Sequence, residues 1–584
     1  MANTRRATAI AAVGAAAALV LAACGGGSGS SDTAAPASGF NAAVNAVVNP
    51  SDVKGGTLKL GASSDCDSYD PARTYYAYCW DIQRMFTRSL MGFAPEPGTK
   101  GTAVLPDLAT AAGAANADKT EWTYTLKDGV KWEDGSAITS KDVKYGIQRL
   151  FATDVINGGP SSYFTSLLDD GTYKGPYADP TGDLTSVTTP DDKTITFKLN
   201  KPFADFDFLM ALPTGAPVPA SKDTKADYGK KPFSSGPFKF DSFEPSKGTS
   251  WSRNTSWDQA TDTIRKPLVD KVELTIVGEP ADLDKRVLAG DIDLVADGGL
   301  LPESRALVLA DATKKANADN PVTGFTRYFA VMQTVEPLTN KACREAIFLA
   351  FNKSEVRKIR GGDTGGDIAN TMTPPIVPGY DSNFNPFPTG AENTGDIEAA
   401  KAKLVECGKP DGFSINMAYV NSGVGPDVFA SVQQNLARIG VKIGSAPNDG
   451  SSYYSTWIGS PKNIIDQKIG LAVAGWGADF PTAYGFWQSI ANGNAILPEG
   501  NSNYPSLNDP KVNDLLDQLT KEGDKAKSED LAKQLDQQVM SNAVYLPFQF
   551  DKTFYYRNPR LTNIYLNGGV GNYYDYVNVG TGGK

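Results

Sequence analysis

Along the chain, short alternating runs give way to runs of 3.6-residue periodicity, and the two kinds follow each other for most of its length. Gly55 to Leu60 (GGTLKL) predicts a glycine-led strand with Leu58 and Leu60 on one face. Trp80 to Leu90 predicts a helix whose apolar face carries Ile82, Met85, Phe86 and Leu90. In Trp122 to Leu150 (WTYTLKDGVKWEDGSAITSKDVKYGIQRL), Trp122, Tyr124 and Leu126 alternate as a strand, Asp128 and Gly129 form a turn, and Val130 with Trp132 returns. Asp134 and Gly135 make a second turn. Thr139 or Ser140 then caps a helix with Asp142 in its first turn and Val143, Ile147, Leu150 and Phe151 inward. Each choice in this block has a structural reason, so it reads as core and turn chemistry.

Downstream, Thr194 to Leu199 and Val272 to Ile276 read as strands, and Asp282 to Leu288 as a short helix before GDIDLV. KACREAIFLAF, beginning at Lys341, is helical, with Ala342, Ala346, Ile347, Ala350 and Phe351 on one face. A helix over Asp427 to Ile439 precedes a strand at Val441 to Ile443, the alternation of an α/β domain. Helices over Asn513 to Glu522 and Ser528 to Met540 lead to an apolar strand at Tyr545 to Phe550.

The first residues follow another pattern. Arg5 and Arg6 precede an apolar, alanine-rich stretch from Ala7 to Leu21 and then small residues, the three regions of a secretory signal, here residues 1–23. The stretch is too short to span a bilayer as a helix. Leu21, Ala22, Ala23 and Cys24 resemble the bacterial lipobox, which implies that Cys24 is acylated and anchors the protein to the extracytoplasmic face of the cell membrane. The Gly/Ser/Ala/Pro-rich residues after it, 24–50, read as a flexible tether. Arg5 and Arg6 also fit a twin-arginine export signal, so the export route stays open.

Composition narrows the chemistry. The 584 residues include no histidine, which removes Ser/His/Asp and Cys/His nucleophiles and His-ligated catalytic zinc. Glu133 and Asp134, adjacent on a turn, point apart and make no catalytic pair. The length implies two or three domains. With 56 Lys plus Arg against 66 Asp plus Glu, the net charge of −10 argues against a nucleic-acid partner. Besides Cys24 there are Cys66, Cys79, Cys343 and Cys407. An even number in an exported chain suggests disulfides, and of the three possible pairings the sequence-local one, Cys66 with Cys79 and Cys343 with Cys407, is expected. No CxxC occurs, and no metal or cofactor site is expected.

At these residues the chain resembles the bacterial extracellular solute-binding proteins of family 5, which serve peptide and nickel importers of the ATP-binding-cassette type. The Trp122 to Leu150 block carries the likeness most strongly. GGTLKLG, SSGPFKF with SRNTSW, GDIDLV, KACREAIFLAFNKSEV, GWGADFP and YLPFQF follow in the family's order, from about Val53 to Tyr576. The resemblance implies an α/β, periplasmic-binding-protein-like fold of two lobes with an extra inserted domain and a hinge between the lobes. Lobe I would comprise residues 51–90, 211–325 and 546–584, the inserted domain II residues 91–210, and lobe III residues 326–545.

It further implies a monomeric, non-enzymatic receptor that captures peptides and delivers them to a membrane permease. A non-peptide solute, such as an oligosaccharide, a chelated metal or a siderophore, is the alternative, as is an adhesion or signalling lipoprotein. In peptide-binding members the aspartate of the matching motif pairs with the ligand ammonium, which points to Asp479, with Trp476, Gly477, Ala478 and Phe480 around it. Gly475 and Gly477 would let the backbone approach a ligand. Asp479 read on its own also fits a helix cap or turn anchor before Pro481, and Tyr484, Phe486 and Trp487 read as core. Ser64, Asp65 and Tyr69, in the loop after the first strand, are further candidates for the cleft, in a loop that a Cys66–Cys79 bridge would stiffen.

Overall fold

The computed structural model describes residues 38–583 apart from 158, 170, 179, 181 and 451. The signal segment, Cys24 and the start of the tether lie outside the described residues. Three sheets organise the rest.

The first sheet has the order Leu294–Val295, Thr57–Ala62, Lys271–Ile276, Gly248–Arg253, Phe238–Glu244. Thr57–Ala62 runs parallel to Lys271–Ile276, setting Leu58 opposite Val272 and Leu60 opposite Leu274. Both leucines are fully buried while Lys59 between them faces water, as the alternation requires. The C-terminal residues Leu561, Ile564, Leu566 and Val579 complete this core, so it draws on both ends of the described chain.

The second sheet, Ala114–Ala115, Glu121–Thr125, Thr194–Lys198, Val187–Thr188, belongs to the inserted domain. Helix Ser140–Arg149 packs beside it, and its entry is the expected capping box: the Thr139 amide donates to Asp142 Oδ2 at 2.8 Å. Val130 and Trp132 are buried but join no strand. The helix expected over 80–90 is Ala77–Gln83, followed by turns. Residues 87–90 leave the helical path because tertiary partners claim their backbone: the Arg88 amide donates to Ser235 Oγ, and the carbonyls of Ser89 and Leu90 accept from Leu108 and Asp107.

The third sheet has the order Gly366–Ile368, Tyr545–Lys552, Val322–Val331, Ile469–Gly477, Ser414–Val420, Lys442–Asn448. Helix Gly425–Ala437 crosses between the parallel strands Ser414–Val420 and Lys442–Asn448. Val322–Val331 and Tyr545–Lys552 pair with each other and both lie wholly in this sheet. Lobe boundaries at 325/326 and 545/546 would cut through them. Beside them Ala318–Asp319 pairs with Tyr555–Tyr556 in a separate two-stranded sheet.

The end of the expected tether is docked. The Asn41 amide donates to the Ala318 carbonyl and the Ala43 amide to Asp319 Oδ1, both at 3.0 Å, while Ala43 and Val48 are buried. Small apolar residues in a low-complexity context concealed this attachment. Cys66–Cys79 and Cys343–Cys407 are both bonded, with sequence separations of 13 and 64. Chain entropy assigns loops of these sizes about 3 and about 4 kcal/mol.

The inserted domain and lobe III share one continuous apolar core. Phe203, Phe208 and Tyr163 all pack against Phe480, with ring centroids 6.5, 6.4 and 5.4 Å away. The Ala204 amide donates to the Thr520 carbonyl at 2.7 Å. Asp205, bonded to Thr482 across this contact, has its carboxyl pushed up to about 6 by burial.

Candidate functional site

Strand Ile469–Gly477 lies inside the third sheet, between Val322–Val331 and Ser414–Val420. Its C-terminal end opens into a cavity of about 830 Å³ to which all of Trp476, Gly477, Ala478, Asp479 and Phe480 contribute. The chain turns at Pro481 and enters helix Ala483–Ala491, whose N-cap is Thr482, its hydroxyl accepting from the Gly485 amide at 3.0 Å. Thr482 therefore caps the helix, and the Asp479 carboxylate is left to point elsewhere.

It points across the molecule. Tyr75 Oη donates to Asp479 Oδ1 at 2.7 Å and Tyr163 Oη donates to Oδ2 at 2.5 Å. Tyr75 comes from the loop after the first strand of lobe I, Tyr163 from helix Ser161–Leu168 of the inserted domain. Both donors are neutral: burial and the Asp479 charge push the Tyr163 phenol far above the usual tyrosine range, and desolvation of the hydroxyl with the same charge raises that of Tyr75, whose ring stays about half exposed. Burial raises the Asp479 carboxyl too, against the opposing pull of the two hydroxyls, and no Lys or Arg among the described residues is paired with it. A carboxylate offers about four lone-pair sites, of which the phenols occupy two. What remains is a desolvated acceptor whose charge only an incoming cation would balance.

Around Asp479 the loop is stiffly held. Trp476 Nε1 donates to the Phe486 carbonyl at 2.6 Å. Phe480 is 1% exposed within its ring cluster, and Phe486 and Trp487 are fully buried, as core residues should be. Gly475 and Gly477 also make room for side chains of the neighbouring strand. A Cβ on Gly475 would lie 2.5 Å from Phe325 Cε1 and 2.6 Å from Arg327 Nη1, and one on Gly477 would lie 2.8 Å from Phe325 Cδ2. The register sets Phe325 opposite Gly477 and Arg327 opposite Gly475. The glycines thus clear floor space on which those two side chains lie.

The N-terminal candidates divide differently from expectation. Tyr69 is 2% exposed, ringed edge-on by Phe86, Phe240, Phe243 and Trp251, with its hydroxyl against Thr249. It is core. Asp65 is turned to the protein itself, its Oδ2 accepting from the Ser246 amide at 2.6 Å and its Oδ1 buried, and neither it nor Ser64 is among the residues facing the cavity. The residues of this segment that do face it are Tyr75, Ala77 and Trp80. Disulfide Cys66–Cys79 spans Tyr75 and ties it to the helix bearing Trp80. The two adjacent tyrosines, Tyr75 and Tyr76, in a polar, turn-rich stretch were the available signal, and in the folded protein both stay exposed. Tyr163 had none: its role depends wholly on where the inserted domain docks.

Arg327 and Asp551 also line the cavity and are joined at 2.6 Å. Neither was anticipated, although a lone arginine in the apolar strand VTGFTRYFAV is a visible anomaly. Among the described residues no group of three metal-ligating side chains is gathered, and no helix is long and apolar enough to cross a membrane.

The sequence profile of the bacterial extracellular solute-binding proteins, family 5 (middle), matches residues 103–496. A solved structure titled "Clavulanic acid biosynthesis oligopeptide binding protein 2" is 41% identical, covers 94% of this chain and 99% of its own, and superposes with a TM-score of 0.90. "Di/tripeptide-binding protein 2" of Pseudomonas aeruginosa (strain UCBPP-PA14) is 25% identical over 71% of this chain and 79% of that protein. "Oligopeptide-binding protein OppA" of Bacillus subtilis (strain 168) is 24% identical over 77% of this chain and 80% of that protein.

Proposed function

The chain belongs to the bacterial extracellular solute-binding proteins of family 5, and from that premise we propose that it captures peptides for an ATP-binding-cassette importer. The observation that carries the peptide reading is Asp479, a carboxylate at the wall of the cavity whose side-chain partners among the described residues are two neutral phenols, with no Lys or Arg paired to it. A peptide α-ammonium supplies the missing charge and takes the remaining lone pairs. The relatives described above are named for di-, tri- and oligopeptides, which supports the same solute class.

In this reading the protein is a binder with no catalytic step. The lobes are connected by the chain segments just outside the paired strands Val322–Val331 and Tyr545–Lys552, and rotation about those segments opens and closes the cleft. Closure buries the ligand ammonium against Asp479 and forms the surface that a permease recognises. Acyl chains on Cys24 keep the monomeric receptor at the extracytoplasmic face of the membrane.

Native mass spectrometry of the protein purified from its host tests the solute class. A retained adduct that fragments as a peptide is expected. A sugar or siderophore adduct would remove the peptide assignment and leave family membership intact.

A further inference from the structure

Residues 39–43 lie against both chain segments that join the lobes. One segment, residues 318–321, runs into strand Val322–Val331, and the other, residues 553–557, leaves strand Tyr545–Lys552. The two are tied to each other: Ala318–Asp319 pairs with Tyr555–Tyr556, and the Thr553 amide donates to the Pro321 carbonyl at 3.3 Å. On the first segment, the Asn41 amide donates to the Ala318 carbonyl at 3.0 Å and the Asn320 amide donates to Asn41 Oδ1 at 2.6 Å. On the second, Arg557 Nη2 donates to the Gly39 carbonyl at 3.1 Å, and the Phe40 and Phe554 ring centroids are 6.1 Å apart.

Asp319 gathers these stretches. Fully buried, its carboxylate accepts from the Ala43 amide, from Arg557 Nη1 and from Tyr574 Oη. Asn41 has a φ of 63°, a left-handed turn that asparagine tolerates better than most residues, and it meets the first segment through both its amide and its carboxamide. Downstream, Val48 exchanges both backbone hydrogen bonds with Ile564, which fixes the segment to the core of the first sheet.

A hinge works because a few residues absorb the change in φ and ψ. Here Asn320, next to Pro321, and Phe554, two residues past Lys552, each contact a third stretch of chain, so rotation about them strains or breaks those contacts. All of the contacts are present in the arrangement where Tyr75 and Tyr163 reach Asp479.

We propose that residues 39–43 are a hinge brace that favours the closed arrangement of the lobes and sets its population before a solute binds. This rests on the rotation described under the proposed function, and it gives a conformational role to the end of a segment whose sequence reads as a passive tether. A device of this kind acts by shifting the balance between two existing states.

Electron–electron resonance distances in the full protein, with retained solute removed, test the brace. Spin labels are placed through Lys247→Cys and Lys462→Cys, exposed positions beside the first and third sheets. Phe40→Ala with Asn41→Gly is expected to raise the open-to-closed ratio roughly threefold or more, the factor carried by one lost hydrogen bond. Both side chains are exposed, so melting temperature should change little. Phe40→Tyr keeps the ring and should retain the wild-type distribution. An unchanged distribution in the double variant, or a shift toward the closed state, overturns the proposal. Asn41→Gly alone, which keeps the left-handed turn and loses only the carboxamide, replaces the double variant if that melts early, and the same direction is expected.

Tyr75→Phe with Tyr163→Phe, which removes both hydroxyls from Asp479, separates the brace from the rotation it acts on. Opening in this protein with none in the brace variant overturns the brace alone. Opening in neither ends the rotation reading and the brace with it. The distances are read without any solute, so a failed peptide assignment leaves the result standing.

Discussion

Tyr163 Oη reaches from the inserted domain to Asp479 Oδ2 in lobe III at 2.5 Å, while Tyr75 of lobe I reaches the other oxygen of the same carboxylate at 2.7 Å. Three separate regions of the chain converge on one aspartate. Both donors are neutral, so the arrangement orients the carboxylate and keeps its charge available.

Replacing Asp479 by Asn separates the electrostatic role from a structural one. Removing one partner of a desolvated charge pair costs about 2 to 5 kcal/mol. A free-amine peptide is expected to lose affinity by that amount in titration calorimetry, and its N-acetylated form to lose much less. Equal losses for the two ligands would show that Asp479 only shapes its loop.

Tyr163→Phe removes a single hydroxyl from the contact between the inserted domain and Asp479. A hydrogen bond to a charged acceptor contributes about 1.5 to 3 kcal/mol. Affinity for a free-amine peptide should fall by roughly ten- to a hundredfold, while far-UV circular dichroism stays unchanged because the ring remains packed on Phe480. Unchanged affinity would mean that the phenol contributes nothing to holding the carboxylate.

Gly475→Ala places a methyl group 2.5 Å from Phe325 Cε1 and 2.6 Å from Arg327 Nη1. Neither contact is tolerable, so the two side chains must move off the cavity floor. Weaker ligand binding is expected with little loss of melting temperature, because Phe325 and Arg327 are only partly buried. A variant that binds as tightly as the parent would show that the floor residues do not touch the solute.

Two buried groups on either side of residues 369–373 give stability an uneven pH dependence. Asp536 accepts from Thr371, and burial pushes its carboxyl up to about 7, the hydroxyl of Thr371 pulling the other way. Against about 3.9 in the unfolded chain, the stabilisation is complete below about pH 4 and drains away as pH rises to 7, about 4 kcal/mol in all. Lys353 donates to the Ala369 carbonyl and to Asn370 Oδ1, and burial pushes it down to about 7. The unfolded chain keeps that proton to about pH 10.4, so the Lys353 contribution grows between pH 7 and 10. Melting temperature should fall from pH 4 to 7 and recover above 7. Asp536→Asn should flatten the acid limb and Lys353→Met the alkaline one, and an unaltered acid limb in Asp536→Asn would refute the assignment.

Cutting the Cys66–Cys79 bridge with a double Ser substitution frees the loop that carries Tyr75. A loss of about 3 kcal/mol of stability is expected in denaturant titration. Peptide affinity should fall as well, because Tyr75 is no longer held against Asp479. Lower stability with undiminished affinity would show that the helix at Ala77–Gln83 alone positions the tyrosine.

What could be read before folding and what could not follow a physical divide. Leu58 and Leu60, the Thr139 and Asp142 cap, and the helix before Val441 obey rules of local period and capping, which act over a few residues and survive in any tertiary context. The ordered motifs from GGTLKLG to YLPFQF revealed the family, and GWGADFP marked the stretch whose seven residues all line the cavity. Tyr69 defeated the reading because exposure depends on what packs above a loop, and here Phe240 and Trp251 from a hairpin far along the chain enclose it. Gly475 and Gly477 were read by backbone approach to a ligand, and strand register adds a second role, the absence of a side chain beneath Phe325 and Arg327.

By itself the sequence determined the alternation of strands and helices, an export-signal pattern, the exclusion of imidazole chemistry, and the motif that singles out Asp479 as a candidate. Only the tertiary structure decided the partners of Asp479, the core position of Tyr69, and the pairing of Arg327 with Asp551. Those relationships join residues more than 150 positions apart, Asp551 with Arg327 and Asp479 with Tyr163 among them. No local period or propensity constrains such pairs; strand register and the docking of one domain on another do.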